Sequence, residues 1–197
     1  TSYAKNLETE QGMYAQYNPD YINAPFYTNH DMGRSAGYYA GEISEAQTKM
    51  GNALNLLMNG NVFLYYGEEL GMKGSGKDEN KRAPMYWRKD GNAEGMCKGP
   101  ADMDDFRMKF DSLEEQQEDP DSIYNYVKQV IRVRNQNPVI ARGTTAYLEQ
   151  YSGEQCFALT RSYEGSNLLL LGNTSAEAVS VDLTGLTVGG TTAEELV

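Results

Sequence analysis

The sequence predicts an α/β segment followed by a small all-β domain, and three observations carry that expectation. A short apolar run at 24–28, an amphipathic stretch from Ser44 to about Asn59 and a continuous apolar run at 62–66 stand in the order strand, helix, strand. That order is one parallel βαβ unit. The step from Asp31, at the end of the first run, to Gly67, at the end of the second, is close to the roughly 30-residue repeat of a (β/α)8 barrel. After Arg142-Gly143 the texture changes to short β-rich runs separated by turn residues, the pattern of an antiparallel domain.

Each element has a local reason. Residues 2–17 read as a helix in which Leu7 and Tyr14 share a face, weakened by Gly12. Asn18-Pro19-Asp20 breaks it, and the strand at 24–28 follows. The next helix opens on Ser44 with Gln47 as a capping box. Ala46, Met50, Ala53, Leu54, Leu57 and Met58 supply its apolar face, and Asn59-Gly60 its stop. The run Val62–Tyr66 is apolar without alternation, as expected for a parallel strand covered on both faces. Glycines punctuate 67–118, which reads as a long ordered loop. A further helix starts at Asp119-Pro120, carries Ile123, Val127, Val130 and Ile131 as its stripe, and ends at Asn137-Pro138. Runs at 144–150, 156–163, 167–172 and 179–183 complete the β domain. The predicted boundary falls between 1–141 and 142–197.

Composition narrows the function classes. The formal charge is -11, which repels phosphate backbones and argues against nucleic acid as a partner. Such a surface suits a neutral ligand. Fifteen tyrosines offer apolar rings with polar tips that can stack on sugars, although core and interface packing accounts for most. No run approaches the roughly 18 apolar residues of a membrane span. The two cysteines, Cys97 and Cys156, lack metal-ligand spacing and read as free thiols. The chain opens on Thr, which suggests a processed or excised piece.

Three motifs carry the chemistry. Phe26-Tyr-Thr-Asn-His-Asp31 holds the only histidine, directly before a carboxylate, with Arg34 close behind. Leu64-Tyr-Tyr-Gly-Glu-Glu-Leu-Gly71 follows, then Asn80-Lys-Arg-Ala-Pro-Met-Tyr-Trp87. By their placement His30, Asp31 and Glu68 fall at the C-terminal ends of strands, where barrel enzymes keep their catalytic groups. Glu68 and Glu69 are vicinal, so on a strand at most one faces the barrel mouth. Glu68 reads as a pocket-lining or structural hydrogen-bonding residue and Glu69 as structural. The acidic run at 114–119 reads as a solvated helix start.

In order and spacing, over about residues 20–175, these motifs resemble the C-terminal third of the alpha-amylase family of glycoside hydrolases. The resemblance implies the last two βα units of a (β/α)8 TIM barrel, followed by a partial antiparallel β-sandwich. Retaining glycosidases need a carboxylate nucleophile and a carboxylic acid about 5–5.5 Å apart, and gain further from hydrogen bonds to sugar hydroxyls. In the family a third carboxylate, in Phe-x-x-Asn-His-Asp after the seventh strand, does the latter work. By resemblance Asp31 takes that role, His30 bonds the same sugar, Asn29 orients the segment, Arg34 matches the arginine that follows, and Arg82 fixes a terminal sugar.

Two departures bear on function. Val62 stands where the family usually has a proline, which affects a strand entry and not the chemistry. The strand-four nucleophile and the strand-five acid/base have no counterpart here. The resemblance therefore implies an α-glucan or maltooligosaccharide ligand, an N-terminal remainder as partner, and no activity for this chain alone. It implies no cofactor or metal in this chain; calcium belongs to regions of an intact parent. Open edges predict self-association, and polymeric glucans favour an enzyme outside the cell. The competing expectation is a non-catalytic glucan-binding module with a degenerate half-barrel.

Overall fold

The computed structural model of the protein describes residues 2–91 and 94–188. In chain order they form α1 (Tyr3–Tyr17), α2 (Ser44–Leu56), α3 (Asp78–Lys81), α4 (Leu113–Glu118), α5 (Ile123–Gln136), α6 (Pro138–Arg142), β1 (Thr144–Tyr147), β2 (Cys156–Tyr163) and β3 (Ser166–Asn173). Among the described residues, 2–23, 58–61 and 134–188 pack as one unit, and 24–57 with 62–133 as a second. This grouping follows space and not chain order, since α1 joins the β-rich C-terminal part. The end of the predicted partial β domain, residues 189–197, lies outside the described residues.

In the first unit β1, β2 and β3 form an antiparallel meander. The outer edge of β1 is closed by α1: Gln11 Oε1 accepts from Thr145 N–H at 2.7 Å and Glu8 Oε1 from Tyr147 N–H at 3.0 Å. Two side chains one helical turn apart thus meet alternate amides of an edge strand and remove it as a pairing template. Phe157, Ala158 and Leu159 of β2 are buried, with Val139 and Ile140 of α6 and Leu7 of α1. Arg161, also buried, donates to the Ile140 carbonyl and to Thr145 Oγ1; burial pushes its guanidinium down to about 10. Tyr14, expected beside Leu7, is instead exposed and packs on Tyr21 at 5.2 Å between ring centroids. The run at 179–183 is not a strand, and the second layer a sandwich requires is not among the described residues.

In the second unit the two expected parallel strands are reduced to one parallel bridge, Phe26 with Phe63. Phe63 N–H donates to the Pro25 carbonyl at 2.8 Å. With so short a ladder, other carbonyls of the second segment take side-chain donors from α2: Asn55 Nδ2 reaches Phe63 O and Asn52 Nδ2 reaches Glu68 O, each at 3.1 Å. Buried carbonyls need such partners. This widens the buried face of α2 beyond the expected apolar one, of which Ala53 and Leu57 are buried. Ser44, Thr48, Asn52 and Asn55 are buried, while Ala46 is exposed and Met50 only partly covered. The predicted capping box does not form either, because Ile43 is the N-cap and Ser44 already lies in the first turn. A Cβ at Gly51 would come within 2.8 Å of the Tyr27 hydroxyl, so glycine there lets that ring lie against the helix.

The long loop is as irregular as its glycines suggest: among its described residues the α-helices are the one-turn α3 and the six-residue α4. A capping box does form at α4, between Ser112 and Glu115. α5 begins at Ile123 and not at Asp119-Pro120. The turn between them is held by Asp119 Oδ1 on Asp121 N–H, and Ser122 Oγ accepts from Asn125 N–H as a cap does. Ile123, Val127, Val130 and Val133 are its buried stripe, each worth about 1.5–3 kcal/mol of burial. No helix among the described residues is long and apolar enough to cross a membrane.

Candidate active site

All six residues singled out from the sequence lie in the second unit, just beyond the C-terminal end of the Phe26–Phe63 pair. The structure sorts them into two layers. Asn29, His30, Asp31 and Arg82 come together at the surface; Arg34 and Glu68 lie buried beneath the loop that carries the first three.

Asp31 is the centre of the surface group, its side chain 66% exposed. Asn29 Oδ1 accepts from Asp31 N–H at 2.8 Å, an Asx turn that fixes the backbone at Asp31. His30 Nε2 stands 3.3 Å from Asp31 Oδ2, and Arg82 Nη2 stands 3.7 Å from Oδ1. The latter is too long for a hydrogen bond. Both carboxylate oxygens therefore keep acceptor capacity facing solvent, with an imidazole on one side and a guanidinium on the other. Hydroxyl donors of a neutral polyol fit that arrangement.

Beneath it, Glu68 is 1% exposed. Its Oε1 accepts from Thr28 Oγ1 at 2.8 Å and from Ser35 N–H at 3.1 Å, and its Oε2 accepts from Ser35 Oγ. Thr28 and Ser35 flank the loop 29–34, so one buried carboxylate pins both its ends. Glu68 is thus a hydrogen-bonding anchor and not a pocket wall. It and Glu69 sit on a single 3-10 turn, Glu68–Leu70, and not on a strand. Burial pushes the Glu69 carboxyl up, opposed by hydrogen bonds from its own amide and that of Gly67.

Arg34 has no exposed surface. Its guanidinium lies over the rings of Tyr65 and Tyr66, 4.6 and 4.4 Å from their centroids. It donates to Tyr66 O and Lys81 O, while Arg34 N–H bonds Gly74 O at 2.9 Å. A planar cation stacked on two rings and bonded to two carbonyls is a strut between loops; it is not placed to touch a ligand.

Sequence reasoning misses two residues here. Asp78 and Lys81, at opposite ends of the one-turn helix α3, contact the surface group directly. Lys81 Nζ bonds Asp31 O and Asp78 Oδ1, both at 2.9 Å, and Arg82 Nη1 bonds Asp78 O at 2.8 Å. The signal is the i, i+3 and i, i+4 spacing of Asp78, Lys81 and Arg82. Trp87 is partly exposed, and its backbone pairs with Glu114. Among the described residues no group of three or more His, Cys, Asp or Glu side chains is arranged to hold a metal ion. A groove of about 710 Å³ in the other unit is lined by Gln11, Tyr21, Asn59 and Arg142 among others, and by none of the residues the sequence points to.

Comparison with known proteins bears on this geometry. The family described as alpha amylase, catalytic domain, matches residues 2–143. Alpha-amylase 3 of Dictyoglomus thermophilum is 30% identical over 137 residues, which is 70% of this chain and 27% of that protein. The alpha-amylase SusG of Bacteroides thetaiotaomicron is 29% identical over 190 residues, 92% of this chain and 27% of that protein. A 4-alpha-glucanotransferase of Thermotoga maritima is 33% identical over 168 residues, 81% and 36% respectively. Among solved structures, Eubacterium rectale Amy13B superposes with a TM-score of 0.90 at 49% identity, over 94% of this chain and 36% of that one. The chain thus spans about a third or less of the length of these proteins.

Proposed function

The chain belongs to the alpha-amylase family of glycoside hydrolases, and from that premise we propose that it supplies the sugar-holding part of a retaining enzyme. The bonds acted on are α-glucosidic bonds of starch-like glucans or maltooligosaccharides. The observation that carries this reading is the exposed Asp31 carboxylate, ringed by His30, Asn29 and Arg82 beyond the end of a parallel strand pair. In the mechanism Asp31 accepts hydrogen bonds from hydroxyls of the sugar being cleaved. These bonds strengthen as the ring flattens toward an oxocarbenium ion. His30 donates to the same sugar, and Arg82 fixes its neighbour. Glu68 and Arg34 act from below, as anchors of the loop.

The nucleophile and acid/base belong to a longer protein of which these residues are the C-terminal part. The chain comprises the last two βα units of its barrel and the start of a β-sandwich. No cofactor is assigned to this chain, and calcium, where used, belongs to that longer protein.

The test has two arms. The 197-residue chain, incubated with maltooligosaccharides, is expected to release no reducing ends. In the longer protein Asp31→Asn is expected to lower kcat by about 10²–10³-fold, since several kcal/mol of transition-state binding is removed. Turnover by the short chain that Asp31→Asn abolishes overturns the division of labour. A loss of less than about threefold in the longer protein removes Asp31 from the site.

A further inference from the structure

We propose that Lys81 is a positioning residue for Asp31, holding it by the main chain so that its carboxylate stays open to a sugar. This rests on the reading of Asp31 given above and adds to it the group that sets where Asp31 sits.

The geometry is specific. The Lys81 side chain is only 13% exposed, unusual for a residue type that normally keeps its ammonium in water. Its Nζ is spent on two oxygens: the Asp31 backbone carbonyl and Asp78 Oδ1, each at 2.9 Å. The carbonyl lies 50 residues earlier in the chain. The lysine's own backbone is fixed independently, because Lys81 O accepts from the Tyr65 hydroxyl at 3.0 Å and from Arg34 Nη2 at 3.3 Å. The tether is therefore anchored at its root, and its tip grips the site loop.

The choice of atom matters. A cation bonded directly to the Asp31 carboxylate would compete with sugar hydroxyls for the same lone pairs. Bonded to the carbonyl, it holds the residue without occupying either carboxylate oxygen itself. Asp78 completes the device. It takes Lys81 on its carboxylate and Arg82 Nη1 on its carbonyl, which leaves Arg82 Nη2 3.7 Å from Asp31 Oδ1. The Asp78 carboxyl is held below its ordinary range by Lys81 first, with Arg82 and His30 adding to it.

The test uses the chain as it stands, in two readouts. In the ligand-free protein, hydrogen exchange at the Asp31 and Met32 amides reports the loop. Both are bonded to Asn29, at 2.8 and 3.3 Å. Lys81→Met is expected to speed that exchange about tenfold, the loss of one charge-assisted hydrogen bond. Lys81→Arg is expected to restore most of it, and the melting temperature to change little in either. Maltotriose, titrated against the ring resonances of His30, the single histidine, then gives a Kd about tenfold weaker in Lys81→Met and near normal in Lys81→Arg.

Unchanged exchange in Lys81→Met overturns the proposal, as does maltotriose binding equally well to both proteins. If exchange rises but the wild-type chain shows no maltotriose shift, the tether stands and the sugar-site reading falls. If Asp31→Asn abolishes a maltotriose shift that Lys81→Met leaves intact, the sugar site stands and the tether falls.

Discussion

Replacing Glu68 with alanine tests the buried layer on which the site loop rests. The carboxylate takes three hydrogen bonds, from Thr28 Oγ1, Ser35 N–H and Ser35 Oγ, and all three residues are 3% exposed or less. Truncation leaves three donors buried. The two hydroxyls can rotate toward other acceptors, but the Ser35 amide cannot. An orphaned buried donor costs about 1–3 kcal/mol, so the amide at full cost and the hydroxyls at part cost give a loss of about 3 kcal/mol. For a chain of this size that lowers the melting temperature by about 6–12 °C. Glu68→Gln keeps an oxygen for the Ser35 amide and is expected to lose about half as much. Scanning calorimetry reads the melting temperatures, and the His30 ring resonances read the loop, which should move toward random-coil positions in the alanine variant. An alanine variant melting within about 2 °C of wild type, with His30 unmoved, refutes the clamp.

Two further outcomes are expected. A Cβ at Gly172 would lie 2.1 Å from Cε1 of Phe157, its buried cross-strand partner. Gly172→Ala is therefore expected to cost about 1–3 kcal/mol of overpacking, with Phe157→Leu in the same chain recovering part of it in thermal melts. The Glu115 carboxyl is held at about 2, against an ordinary 4.5, by Lys89 first and then by the Ser112 hydroxyl and amide. A lowered carboxyl stabilises the fold fully above its unfolded value and loses that contribution as pH falls toward the folded one. Melting temperature should thus fall from pH 4.5 toward pH 2, and less steeply in Glu115→Gln; parallel curves for the two proteins contradict the assignment.

The surface half of the site was legible because its parts are local. Asn29, His30 and Asp31 are consecutive, and the Asx turn that aims Asp31 needs only a side chain two residues back. The helix over 123–136 was legible for the same reason, as Ile123, Val127 and Val130 repeat at helical spacing and are buried. The polar part of the buried α2 face was missed, because Asn52 and Asn55 answer to carbonyls at Glu68 and Phe63, partners that periodicity does not see. The parallel strands were drawn longer than they are, because a run of apolar residues records affinity for a covered sheet and not the presence of the strands that cover it. Phe26 and Phe63 remain 52% and 60% exposed.

The sequence alone thus determined the family, the order of helix and strand, and the local cluster Asn29, His30 and Asp31, since each is written in neighbouring residues. Only the tertiary structure decided which charged groups stand at the surface and which are buried beneath them. Arg34 follows Asp31 closely in sequence and yet is sealed beneath it. Lys81, far along the chain, reaches its carbonyl. Burial and hydrogen-bond partnership depend on what the folded chain brings within 3 Å, and adjacency in sequence does not supply that information.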